Sequence, residues 1–128
     1  MADRSKYQSE WYQRNKKKKA EYAADWRRKN PSATKLIWAR TLQKLRLEVL
    51  SAYSKGKPHC ACCGEDEMMF LALDHVNGGG NNERKNGGGS YGVYRRLRAA
   101  GYPKGYRVLC HNCNQAIGHW GRCSHKHA

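Results

Sequence analysis

The sequence predicts an α+β protein: a basic helical extension over residues 1–57, followed by a small metal-stapled domain over residues 58–128. Three observations carry this expectation. Lys and Arg outnumber Asp and Glu by 16 to 5 in residues 1–57, but only by 9 to 5 thereafter. All six cysteines lie in the second part. The apolar content of 39% is low for a chain of 128 residues, and a small core of this kind needs a staple such as a metal or disulfides.

The extension reads as two helices. Residues 5–29 contain good helix formers and neither Gly nor Pro. An imperfect repeat runs through them at an offset of 15, Tyr7-x3-Trp11-x2-Arg14-Asn15 returning as Tyr22-x3-Trp26-x2-Lys29-Asn30. That spacing lines Tyr7, Trp11, Tyr22 and Trp26 along one stripe and leaves most Lys and Arg outside it. A helix of this length is about 37 Å long at ~1.5 Å per residue, comparable with one turn of duplex. Asn30-Pro31 should end or kink it. A second helix is predicted over 32–53, with Ser32 as its cap. Trp38, Leu42, Leu45, Val49 and Ala52 recur at alternating fours and threes, a buried seam that Leu36, Leu47 and Leu50 widen. Packing is the reading favoured for Trp38; for Trp11 and Trp26, packing and base stacking are balanced. Ser54-Lys55-Gly56-Lys57-Pro58 is the turn-rich boundary.

The second part changes style. Residues 70–76, FLALDHV, form a short strand that ends in polar residues. The stretch 77–89, with its two Gly triplets, reads as a long loop. Ser90 should cap a short basic helix over 91–100, closed by Gly101 and Pro103, with Val93, Leu97 and Ala100 inward. A second strand is expected over 106–109, and a last helix from near Cys113.

Cysteine spacing is the strongest chemical signal. Cys60-Ala61-Cys62-Cys63-Gly64 and Cys110-His111-Asn112-Cys113 are two CxxC knuckles separated by 46 residues. Four thiolates in matched pairs suit a tetrahedral structural Zn²⁺ held by Cys60, Cys63, Cys110 and Cys113. Buried reduced cysteines explain two matched pairs less well. Gly64 favours the tight turn such a knuckle needs. Cys62 can exchange with Cys63 or stand aside. Cys123, His125 and His127 can also bind metal, although a packed cysteine with two tail histidines is the preferred reading. Within this frame Asp74-His75 ends one strand and Asn114 follows the last knuckle. Oxygen donors from Asp74 and Asn114 suit Mg²⁺ or Mn²⁺, and a neutral imidazole beside them can take a proton from water.

The pattern LxLDH, a gap, then VLCHNCNQAIG resembles the HNH (His-Me finger) nucleases, and within them the phage recombination endonuclease VII group. The resemblance covers about residues 58–122 through Cys60/Cys63, Asp74-His75 and Leu109-Cys110-x2-Cys113-Asn114. It implies a ββα-metal fold, a DNA endonuclease, and a phage-like origin. It implies His75 as the general base, with Asp74 and Asn114 holding the catalytic cation under the scissile phosphate. The chain departs from that pattern in three ways. It has 33 residues between His75 and Leu109, Asn77 where the group often has a second His, and no Asn ahead of the second knuckle to orient the base. Something else, such as a backbone carbonyl, must fix His75.

A net charge of +15 points to a polyanion, because a field of this size in so short a chain binds nucleic acid. A merely solvated basic surface is the weaker reading, and membrane binding weaker still for lack of a wide apolar face beside the cations. Lys16, Lys17, Lys18, Lys19, Arg27, Arg28, Arg84, Arg95, Arg96 and Arg107 are the candidate phosphate contacts. The stripe on the first helix also allows a homodimer. No run of 18 apolar residues exists and the N-terminus lacks a secretory h-region, so the expected location is cytoplasmic, where cysteines serve metals more than disulfides. A non-catalytic zinc-knuckle module that binds DNA or RNA explains charge and cysteines equally well.

Overall fold

The computed structural model describes residues 3–126. It is an α+β protein with an N-terminal helical region and a buried cluster of Cys and His side chains able to chelate a metal ion. The chain divides into two compact units, residues 1–40 and 41–128. The division falls inside a helix that ends at Ser54, where the turn-rich stretch 54–58 begins.

Helix α1 spans Arg4–Lys29. The Asp3 side chain caps it by accepting from the Ser5 amide at 3.0 Å, and Arg27, Arg28 and Lys29 sit favourably at its negative end. None of its residues is buried. What supports it is local: Asp25 pairs with Lys29 at 2.8 Å and with Arg28, and Lys19 lies over the Trp11 and Tyr12 rings at 5.5 and 5.8 Å. The 15-residue repeat has a structural counterpart. Asn15 donates to the Trp11 carbonyl and Asn30 to the Trp26 carbonyl, both at 2.8 Å.

Helix α2 spans Pro31–Ser54. Its first residue is the proline, which needs no amide partner there, and Asn30 supplies the first carbonyl, accepting from the Thr34 amide at 3.0 Å. Ser32 is therefore inside the helix and is not its cap. Leu45, Val49 and Leu50 are buried, but Trp38 is 53% exposed, so the predicted seam begins at Leu42. Leu36 and Leu47 are exposed as well.

In the second unit, a 3₁₀ turn at Met68–Phe70 leads into strand β1, Leu71–His75, which pairs antiparallel with β2, Tyr106–Cys110. Leu71 faces Cys110, Asp74 faces Arg107 and His75 faces Tyr106. Helix α5, His111–Trp120, follows β2 without a break. Arg46 of α2 ties the sheet edge by donating to the Leu71 carbonyl and, at 2.6 Å, to that of Met68.

The stretch 77–89 is not a loop. It holds helix α3, Gly80–Asn86, and helix α4 then runs from Gly89 to Ala99. Glycines in the left-handed region start both, at Gly79 (φ 88°) and Gly88 (φ 79°), with no side-chain cap, so Ser90 lies inside α4. Val93, Tyr94 and Leu97 form the inner face, whereas Ala100 is exposed. They pack with Leu45 and Val49, and Leu50, Leu71, Val108 and Leu109 pack with four cysteines in a second cluster.

The turn between α3 and α4 requires a bare backbone at Gly92. A β-carbon on Gly92 would stand 1.6 Å from the Gly87 carbonyl oxygen, an overlap with main chain that no side-chain rotation relieves. Gly92→Ala should therefore destabilise the second unit by about 2–3 kcal/mol, the upper end of ordinary overpacking costs. A shifted urea midpoint would show it; a midpoint equal to wild type would mean the turn is free to open. Among the described residues, no helix is long and apolar enough to cross a membrane.

Candidate metal centre and the end of strand β1

Two short turns bring the thiols together. In the first knuckle the Gly64 amide donates to the Cys60 carbonyl at 2.9 Å, with Gly64 at φ 82°, the conformation its position favours. The Ala61 amide donates to the Val108 carbonyl at 2.8 Å and pins this knuckle to β2. The second knuckle is the junction of β2 and α5: Cys110 caps the helix, its sulfur accepting from the Cys113 amide at 3.4 Å. The ligand atoms of Cys60, Cys63, Cys110 and Cys113 lie within 4.8 Å of one another.

The remaining soft donors do not stand aside. Cys62, Cys113, Cys123 and His125 form another set within the same limit, with Cys113 common to both. Cys123 is packed in the core, as the sequence favours, and its sulfur lies 3.6 Å from that of Cys113 and 3.2 Å from His125 Nδ1. His127 falls outside the described residues. The sequence offers Cys123 and His125 as possible ligands but does not join Cys62 to them, because a CxxC reading discounts the cysteine between its two ligands.

The donor set fits a divalent ion of zinc's size. A tetrahedral thiolate site with metal–sulfur bonds of about 2.3 Å has sulfur–sulfur edges of about 3.8 Å. Cys63 and Cys110 are 3.7 Å apart, and Cys113 and Cys123 are 3.6 Å apart. Electrostatics points the same way. Burial raises the Cys60 thiol, but the backbone amides of Cys63, Cys110 and Cys62 overcome it and bring its pKa to about 6. The His125 backbone lowers Cys123 to about 7 against its burial. Cys113 moves the other way: burial first, then the neighbouring thiols, push it up. A dication compensates the charge that this crowded interior opposes.

At the end of β1 the structure gives His75 a partner that the sequence reading missed. Glu83, on α3, meets His75 Nε2 with its carboxylate. The same carboxylate accepts from the Tyr106 hydroxyl at 3.2 Å and from Arg96 at 3.5 Å. Burial opposes the charge on Glu83, but His75, Tyr106 and Arg96 outweigh it and hold its pKa below the ordinary range. The orienting group is thus a carboxylate and not a backbone carbonyl. Reading 77–89 as a loop hid it, because only a helix at 80–86 returns Glu83 to the strand end.

Asp74 and His75 are successive strand residues and leave the ladder on opposite faces. The Asp74 carboxylate accepts from Arg107 Nε at 2.8 Å, across the register pair. Asn114 is half-buried in α5, and among the described residues no hydrogen bond joins it to Asp74 or His75. Neither donor set of Cys and His includes Asp74. As it stands, the Asp74 carboxylate has the Arg107 guanidinium beside it.

Of the candidate phosphate contacts, Lys16, Lys17, Lys18, Lys19 and Arg27 are exposed on α1. Several candidates have partners within the chain: Lys19 lies over Trp11 and Arg95 over Tyr91, Arg28 pairs with Asp25, Arg84 with Asn81, Arg96 with Glu83 and the Gly87 carbonyl, and Arg107 with Asp74. No protein-family model matches the chain, no curated protein matches it, and no solved structure matches it. The HNH resemblance rests on the motifs themselves.

Proposed function

We propose that the chain is a zinc-stapled module that binds nucleic acid. The observation that carries this is the convergence of the four knuckle cysteines, three of them buried, in a chain of net charge +15. The thiolates and their ion hold the β-hairpin to α5, and the exposed lysines of α1 supply affinity for phosphate with little base information. With about five phosphate contacts, the slope of log K against log salt is about −4.5, a loss of roughly 500-fold between 50 and 200 mM salt. Replacing Lys16, Lys17, Lys18 and Lys19 with Ala should reduce that slope by about 2–4. Gel shifts on a random duplex across the salt range test this, and an affinity that stays flat with salt would remove the electrostatic basis of the reading.

One observation favours a second reading, an HNH-type endonuclease acting on DNA. His75 stands at the end of a paired strand, with its Nε2 against Glu83 and a cavity of about 20 Å³ beside it, bounded by Leu73, Arg84 and Tyr94. That volume is enough for about one water. With Nε2–H donated to the carboxylate, Nδ1 is the nitrogen left to take a proton. Gly80 keeps it uncovered, as a β-carbon there would stand 2.7 Å from Nδ1. The resemblance assigns a Mg²⁺ or Mn²⁺ ion to Asp74 and Asn114; Arg107 engages one oxygen of Asp74, and the reading is argued from His75. Incubating plasmid DNA with the protein and either cation separates the two functions.

A further inference from the structure

We propose that Cys62, Cys113, Cys123 and His125 form a second metal site, joined to the Cys60/Cys63/Cys110/Cys113 site by a bridging Cys113 thiolate, so that the chain carries a dinuclear zinc-class centre. The inference rests on the first set being a metal site, as read above. Two tetrahedral ions that share one donor require seven ligands, and the two sets together contain seven, six cysteines and one histidine. No soft donor of either set is left over, and none is missing.

The geometry of the second set is that of a closed site. Cys113 Sγ and Cys123 Sγ are 3.6 Å apart, and His125 Nδ1 lies 3.3 Å from the first and 3.2 Å from the second. With zinc–sulfur bonds of about 2.3 Å and zinc–nitrogen bonds of about 2.0 Å, the edges of a tetrahedron are about 3.5–3.8 Å. Three thiolates and an imidazole suit Zn²⁺ over hard cations. Cys113 is fully buried between the sets, and a thiolate has lone pairs for two ions.

Local structure brings these residues together. Cys62 is carried by the tight turn that presents Cys60 and Cys63. At the far end of α5, Gly121 adopts φ 71° and its amide returns to the Ile117 carbonyl at 2.9 Å. The chain then doubles back, and Cys123, buried at 6% exposure, joins the core with His125 two residues on. The second ion would fasten this tail to the first knuckle, which no hydrogen bond between main-chain atoms of the described residues does.

Elemental analysis of the full chain purified with zinc tests the proposal. Two zinc ions per chain are expected, falling to one in His125→Ala and in Cys62→Ser, both with wild-type circular dichroism. Cadmium-113 spectra should show two resonances coupled to each other through Cys113, and the coupling should vanish in either variant. One zinc in the wild type, with Cys62 and Cys123 open to alkylation in the native protein, would overturn the second site and leave the first standing. Two ions retained in both variants would overturn it too, and a chain that binds none would overturn both sites.

Discussion

Stripping the bound metal is expected to unfold residues 41–128 outright. The main core cluster contains eight buried residues, and four of them are cysteines: Cys60, Cys110, Cys113 and Cys123 beside Leu50, Leu71, Val108 and Leu109. These four aliphatic side chains, at about 1.5–3 kcal/mol each, and the neighbouring cluster of Leu45, Val49, Val93, Tyr94 and Leu97 make a small core for 88 residues, and a pair of strands is marginal by itself. Structural zinc contributes roughly 10–16 kcal/mol in small domains, which equals or exceeds the whole stability of an ordinary one. Near-UV circular dichroism is the right readout, because Tyr53 packs against Tyr102 and Tyr106 at 5.9 and 5.6 Å in this unit. That signal should vanish with chelator and return with Zn²⁺. Helix α1 buries nothing, so much of the far-UV helical signal should survive. Cys113→Ser should mimic chelation more closely than Cys63→Ser, since Cys113 is buried and belongs to both donor sets. A melting curve unchanged after the metal is removed would show that packing alone sustains the core.

What the sequence made legible follows from which interactions are local. Helices α1 and α2 were readable to within one residue at each end, since the proline, the absence of glycine and the leucine spacing act within a few turns. The strands were readable because LxLDH and YRVLC sit beside knuckles with their own spacing rule. Helix α3 was not. Glycine content argued for a loop, yet Gly92 is there for a close approach to the Gly87 carbonyl, which composition does not distinguish from flexibility. Glu83 was lost with α3. The pairing of Asp74 with Arg107 was equally hidden, as it depends on strand register, and register here follows a 30-residue connection between β1 and β2. Cys62 could be read only as a substitute for Cys63 or a spectator, because Cys123 and His125, which the fold brings near it, stand some 60 residues away in the chain.

If the second reading of the function holds, His75→Ala should reduce plasmid cleavage by about 10²–10⁴-fold with duplex affinity unchanged, the usual worth of a positioned general base. Affinity is expected to persist because the exposed lysines lie on α1, in the other compact unit from His75. Two further variants separate a base from a packed histidine. Glu83→Gln keeps the size of the side chain and removes the charge that faces Nε2, so a loss of roughly 10–100-fold is expected, as for other groups that orient an imidazole. Gly80→Ala would put a β-carbon 2.7 Å from Nδ1, too close to fit, so the imidazole or the start of α3 has to move and the Glu83–His75 geometry is lost. Cleavage should fall in all three, with the near-UV spectrum of the tyrosine cluster retained. His75→Ala protein that cuts at the wild-type rate would take the imidazole out of the chemistry. Wild-type protein that binds duplex and never cuts it, with either Mg²⁺ or Mn²⁺, would assign the Glu83–His75–Tyr106 contacts to holding α3 against the sheet. The binding module would then be the whole function of the fold.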